Sequence, residues 1–290
     1  MRPCRRIRGA LLLLGLHAAT AGIAAAEDIL SPPEDERPYW RRNLFRRVIA
    51  DQPYLVKTWW PTESRDPLFA GPLVFSLAAA ISADGSGGGI DGSTESGVAG
   101  SLRARAAGPA SWVSRLGDTE VAAAGVGLTY LVGRLTHDAR LSETSSLVAE
   151  ALVNVAIWDT VLKVATSRAR PVEGSGSGLF NPEVPFGEGD SFPSGHAMGS
   201  FAVAAVVSAQ YRDRKWVPWV AYGTASLIGG SRVVLGRHYA SDVLVGAVLG
   251  VSIGRMVVAR SHAVEPQRVQ WSPTFDPVGQ GPAIKLTYRW

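Results

Sequence analysis

Cysteine is almost missing from this chain of 290 residues. The single thiol is Cys4, so no disulfide can cross-link the fold and no thiol chemistry is expected in its body. Acidic residues are missing before Glu27, while Arg2, Arg5, Arg6 and Arg8 precede an uncharged run from Gly9 to Ala26. That run centres on Leu11 to Leu14 and closes on Ala24, Ala25 and Ala26. This is the order of an export signal: basic region, apolar region, small-residue cleavage site. An uncleaved anchor has the same three parts. Cys4 lies before the apolar run, which argues against a lipid-modified N-terminus. Cleavage after Ala26 would remove Cys4 and leave 25 basic against 25 acidic residues, so the formal charge of +4 belongs to the leader. No nucleic-acid partner is expected.

Disorder is excluded by a hydrophobic share of 46% against 19% charged. The mean hydropathy of +0.09 is too polar for a chain made only of membrane spans. No internal repeat is visible. The glycine-dense stretch Gly85 to Gly92 has no closing Gly-Lys-Ser/Thr, which excludes a nucleotide phosphate loop and leaves a flexible connector.

Four stretches are expected: a signal peptide at 1–26; an arm at 27–117 rich in Pro, Trp and Arg; a helical core at 118–262; and a tail at 263–290. The arm offers one short helix near Leu44 to Ala50, an apolar helix at Leu68 to Ala83 and then the glycine connector. The core offers five helices: Glu120–Leu135, Ser146–Ala165, Ala197–Gln210, Val217–Leu235 and Asp242–Val258. In the tail, Ile284, Leu286, Tyr288 and Trp290 alternate with polar residues, so the spacing predicts a β-hairpin with residues around Val269 to Phe275. The fold class is therefore all-α: a helical bundle with an irregular N-terminal arm and a short C-terminal hairpin.

Chemistry-bearing residues cluster where these helices meet loops. Lys163 and Arg170 end the second core helix, with Pro171 as its stop, a cationic corner suited to an anion; taken alone, they read first as solvated charges at a helix end. Phe192-Pro193-Ser194-Gly195-His196 opens the third, where glycine and unpaired N–H groups form an anion site beside a histidine. Ser231-Arg232, then His238 and Asp242, form the third cluster. If helix continues through that turn, His238 and Asp242 share a face, and the carboxylate can hold one ring nitrogen while the other acts as nucleophile or base. His137 and His262 have no such company. Three cations, a backbone anion site and two histidines suit phosphoryl transfer without a metal. A metal site would need convergent carboxylates or histidines, which the cations here outnumber.

The motifs K-x6-R-P (Lys163, Arg170, Pro171), P-S-G-H (Pro193 to His196) and S-R-x5-H-x3-D (Ser231, Arg232, His238, Asp242) resemble those of the type 2 phosphatidic acid phosphatases. That family shares its fold with class A acid phosphatases and vanadium haloperoxidases, and the resemblance covers about Asp118 to Arg260. It implies His238 as a nucleophile that becomes phosphohistidine, with Asp242 orienting it and His196 as general acid. It also implies a phosphate held by Lys163, Arg170, Arg232, Ser194 and the Gly195 backbone. The expected enzyme hydrolyses phosphate monoesters, lipid or isoprenoid phosphates included, with no cofactor. A vanadate-dependent haloperoxidase and a non-catalytic helical binding module are the alternatives; vanadate would then be an inhibitor or a prosthetic group.

Location is open at this level. Glu150 and Asp159 leave the helix ending in Lys163 an uncharged run only from Ala151 to Trp158, far short of the roughly 20 residues of a span. A cleaved leader followed by three crossings would also place the motifs inside. Both points favour an exported soluble or peripheral periplasmic enzyme. Against them, Arg212, Arg214, Lys215, Arg255 and Arg260 all fall at the end opposite the motifs, as in an inner-membrane enzyme with an outward-facing site.

Overall fold

A computed structural model describes residues 37–59, 91, 101–171, 189–264, 269–276 and 281–288. A 3-10 turn at Tyr39–Arg41 leads into α1 (Leu44–Trp59). The other helices are α2 (Ser101–Arg115), α3 (Thr119–Leu135), α4 (Ala139–Thr166), α5 (Gly195–Gln210), α6 (Val217–Val234) and α7 (Ala240–Val264). Two antiparallel strands, β1 (Val269–Asp276) and β2 (Gly281–Tyr288), pair from Val269 opposite Tyr288 to Asp276 opposite Gly281. The sequence-predicted helix at Leu68–Ala83, the leader and the glycine connector apart from Asp91 lie outside the described residues.

The bundle is organised around α5, which packs on α4, α6 and α7; α3 lies on α4, α2 on α6, and α1 on α4 and α7. The core joins Leu147, Val148, Ala151 and Val155 of α4 to Met198, Ala202 and Val206 of α5 and to Ile253 and Val257 of α7, with Leu55 of α1 closing it. A glycine stripe sets the closest contact. A Cβ at Gly246 would sit 2.7 Å from the Ser194 carbonyl oxygen, one at Gly254 would sit 2.6 Å from that of Ala202, and one at Gly250 would overlap that of Met198. The spacing of four on both helices lets α5 and α7 run side by side, backbone on backbone, and both start at the same end. The bond from the Ser194 N–H to the Asp242 carbonyl, 3.0 Å, fixes those two starts together.

Two elements exceed or escape the sequence reading. The short helix expected at Leu44–Ala50 runs on to Trp59, straight through Pro53. Burial of Leu55 and a hydrogen bond from the Trp59 indole to Ser252, 2.9 Å, hold the extension despite an interior proline. Helix α2 falls inside the stretch read as arm and connector; Gly108 and Pro109 in its middle mask it locally. It is held by Arg103, whose Nε donates to the Val234 carbonyl at 3.1 Å.

The polar contacts of α1 overturn one objection to a membrane setting. Glu150 is fully buried, but its carboxylate accepts from the Tyr39 hydroxyl at 2.6 Å and from Arg47 at 2.7 Å. Asp159 likewise accepts from Lys163 at 2.7 Å. Neither carboxylate would meet lipid as a bare charge, because the partners come from the 3-10 turn, from α1 and from the next turn of α4.

Candidate active site

Helices α4 and α6 end, and α5 and α7 begin, at one end of the bundle. The motif residues are carried there by four chain segments that the sequence separates widely. The N-terminus of α5 lies at that end, and its dipole favours an anion there.

His238 is held in one orientation. Helix does not continue through the turn: α6 stops at Val234 and α7 begins at Ala240. Gly236, at φ 65°, takes a backbone conformation that favours glycine, and it reverses the chain there. His238 therefore stands in the loop, and its Nδ1 lies 2.6 Å from the Ser191 carbonyl oxygen, with Asp242 at 3.9 Å. A carbonyl only accepts, so Nδ1 carries the proton and Nε2 carries the lone pair. Asp242 acts through its neighbours: it accepts from the Ser191 hydroxyl at 2.6 Å and from the Tyr239 N–H at 2.8 Å. The expected direct orientation of His238 by Asp242 is replaced by a carbonyl that Asp242 fixes from behind. Burial, and then the charge of Arg232, with Arg170 and Lys163 adding to it, hold the His238 pKa well below that of an ordinary imidazole.

Two of the three cations are positioned by carboxylates. Arg170 makes a two-pronged contact with Asp190, at 2.6 and 2.8 Å. Lys163 pairs with Asp159. Arg232 donates to the Ser114 hydroxyl at 2.6 Å, while its Nε is buried with no hydrogen-bond partner. Ser194 is the N-cap residue of α5, but its side chain makes no capping bond and its buried hydroxyl is likewise unsatisfied. Two buried polar groups from two different motifs, Arg232 Nε and the Ser194 hydroxyl, have hydrogen-bonding capacity to offer an anion. His196 lies in the first turn of α5 with Nε2 3.0 Å from Asp118.

Sequence reasoning missed the supporting residues. Arg168 is fully buried, pairs with Asp242 and with Asp91 (2.8 Å for the latter), and donates to the Ser241 hydroxyl. Its guanidinium also stacks on Tyr239, 4.2 Å from the ring centre. Its place two residues before Arg170 was the available signal. Asp190 and Ser191, directly before the Phe192-Pro193 pair, offered another. Asp91, Ser114, Asp118 and Asp159 carried no local pattern of their own.

An all-α bundle with this constellation defines a class, and the comparisons agree with it. Residues 144–265 match the family model described as the PAP2 superfamily. A lipid A 1-phosphatase of Porphyromonas gingivalis is 43% identical over 68 residues, which are 23% of this chain and 15% of that protein. An undecaprenyl-diphosphatase of Bacillus subtilis is 35% identical over 85 residues, 29% of this chain and 42% of that one. The chain thus spans less than half the length of these curated relatives. The crystal structure of a transmembrane PAP2-type phosphatidylglycerolphosphate phosphatase from Bacillus subtilis superposes with a TM-score of 0.52 at 24% identity. It covers 68% of this chain and 94% of that one, and it shares the fold.

Proposed function

We propose that this protein is a bilayer-embedded phosphatase that hydrolyses phosphate esters of membrane lipids through a phosphohistidine at His238. The observation that carries the reading is the fixed tautomer of His238: Nδ1 donates to a backbone carbonyl, which leaves Nε2 as the nucleophile. In the first step Nε2 attacks phosphorus, the P–N bond forms and the ester P–O bond breaks. His196 gives its proton to the leaving alkoxide. In the second step water attacks phosphorus, His196 takes the water's proton and the P–N bond breaks, which restores both histidines. Lys163, Arg170, Arg232, the Ser194 hydroxyl and the Gly195 N–H hold the charge that gathers on the equatorial oxygens. None of these roles calls for a metal ion.

The surface supports the lipid part. Phe45 and Ile49 of α1, Leu128, Leu131 and Leu135 of α3, Val161 of α4 and Trp219 and Leu227 of α6 are all exposed, Trp219 at 82%. On α1, Arg47 and Asp51 face inward beside Val48 and Leu55, while Phe45, Ile49 and Val56 face outward, an apolar outer face that suits a nonpolar solvent. Ala240–Ala263 is the one stretch among the described residues long and apolar enough to cross a bilayer by length and composition. Helices α3, α5 and α6 have 17, 16 and 18 residues, about 24 to 27 Å at 1.5 Å per residue, which approaches the hydrocarbon thickness. Arg134, Arg140, Arg212, Arg214 and Lys215 lie at the end away from the motifs, the arrangement of an outward-facing site. The named relatives act on lipid-linked phosphates, which directs the substrate choice.

The test is acid-stable versus acid-labile trapping. Radiolabelled lipid phosphate in detergent micelles should leave an acid-labile label on the protein that His238→Ala abolishes. A label that persists in that variant would overturn the phosphohistidine.

A further inference from the structure

The corner between α2 and α3 lies outside the matched span of 144–265, yet it closes over the site. Ser114 accepts from Arg232, and four residues later Asp118 lies 3.0 Å from Nε2 of His196. The contact is close all along this turn: a Cβ on Gly117 would fall 2.8 Å from the His196 ring and 2.7 Å from Ile228. The turn is therefore seated against the histidine by its backbone, and the carboxylate cannot be there by side-chain accident.

We infer that Asp118 is the positioning residue of the acid: it binds Nε2–H of His196 and so presents Nδ1–H to the leaving oxygen. This rests on the reading of His196 as general acid. The physical need is plain. The acid must carry a second proton in a pocket built of cations, and Arg232 and Lys163 both act on His196 electrostatically. Each opposes an added positive charge. Among the groups facing this ring, Asp118 supplies the opposing carboxylate; Asp159 lies against the neighbouring Gly195 but is committed to Lys163. A carboxylate bound to one nitrogen both fixes the ring and stabilises the imidazolium, while the second nitrogen gives up its proton.

The experiment compares an alkyl lipid phosphate, whose leaving oxygen needs a proton, with p-nitrophenyl phosphate, whose leaving oxygen hardly does, in the full chain purified in detergent. Asp118→Asn should lose about tenfold more kcat on the alkyl ester than on the aryl ester. Its basic limb on the alkyl ester should move to lower pH, and Asp118→Glu should recover part of both. Equal losses on the two esters with an unmoved limb would overturn the proposal and leave a merely structural corner. His196→Ala separates the two ideas. If it shows no alkyl-to-aryl split, the general-acid reading itself falls. If it shows the split and Asp118→Asn does not, the proposal alone falls.

Discussion

Arg47 and Glu150 form an ion pair of 2.7 Å in which the two side chains are 4% and 0% exposed. The pair joins α1 to the middle of α4, and the Tyr39 hydroxyl completes the carboxylate's shell. Removing one partner strands the other in a dry interior. Arg47→Ala or Glu150→Ala should each destabilise the fold by about 3 to 5 kcal/mol, whereas Arg47→Met with Glu150→Leu together should cost far less. Thermal unfolding in one detergent, compared across the four proteins, checks this; equal losses for the singles and the double would contradict it.

Arg168 should behave as a structural arginine although it lies between two motif cations. It faces Asp91 and Asp242 with no exposed surface. Arg168→Ala leaves both buried carboxylates without their counter-charge and should cost about 3 to 5 kcal/mol of stability as well as activity. Arg170→Lys, by contrast, keeps the charge and loses the two-pronged contact to Asp190. It should change KM and kcat with little change in unfolding temperature.

His238, the proposed nucleophile, should remain neutral in acid. The His238 pKa is held well below the ordinary imidazole value by burial and by Arg232. A lowered value means that the neutral form persists as pH falls, so nucleophilic capacity is lost only below the range of a free histidine, about 6.5. The acid limb of kcat/KM should lie under that value. A limb at or above it would contradict the geometry.

Orthovanadate should compete with substrate, because it matches the anion that Ser194 and Arg232 are disposed to bind. Activity should survive EDTA. Initial rates at several substrate levels, with vanadate or chelator added, test both. Noncompetitive vanadate inhibition would place the anion elsewhere.

Gly250→Ala should separate α5 from α7, since the new methyl group overlaps the Met198 carbonyl. A destabilisation of about 1 to 3 kcal/mol is expected, with a fall in kcat. Gly223→Ala meets nothing within 4 Å and serves as the neutral control.

Helices α3 and α5 to α7 were legible as apolar-rich runs between breakers, and α4 was legible despite Glu150 and Asp159, although it starts at Ala139 and not at Ser146. The motif residues were legible through their spacing alone. What stayed hidden depends on the third dimension. Gly108 and Pro109 argue locally against α2, and only its seat on α6 makes the helix. The His238–Asp242 spacing reads as a helical pair, but the loop at Gly236 breaks that relation and hands the ring to Ser191. Glu150 reads as a charge that no bilayer would accept until Arg47, more than a hundred residues earlier, is placed beside it.

The glycine seam between α5 and α7 has a mechanical consequence. Backbone carbonyls of one helix occupy the space above the glycines of the other, so neither can slide without collision. In a bilayer thicker or thinner than the bundle, mismatch would be taken up by tilt of the outer helices. The separation of His196 from His238 would stay fixed, so turnover should vary less with lipid chain length than stability does.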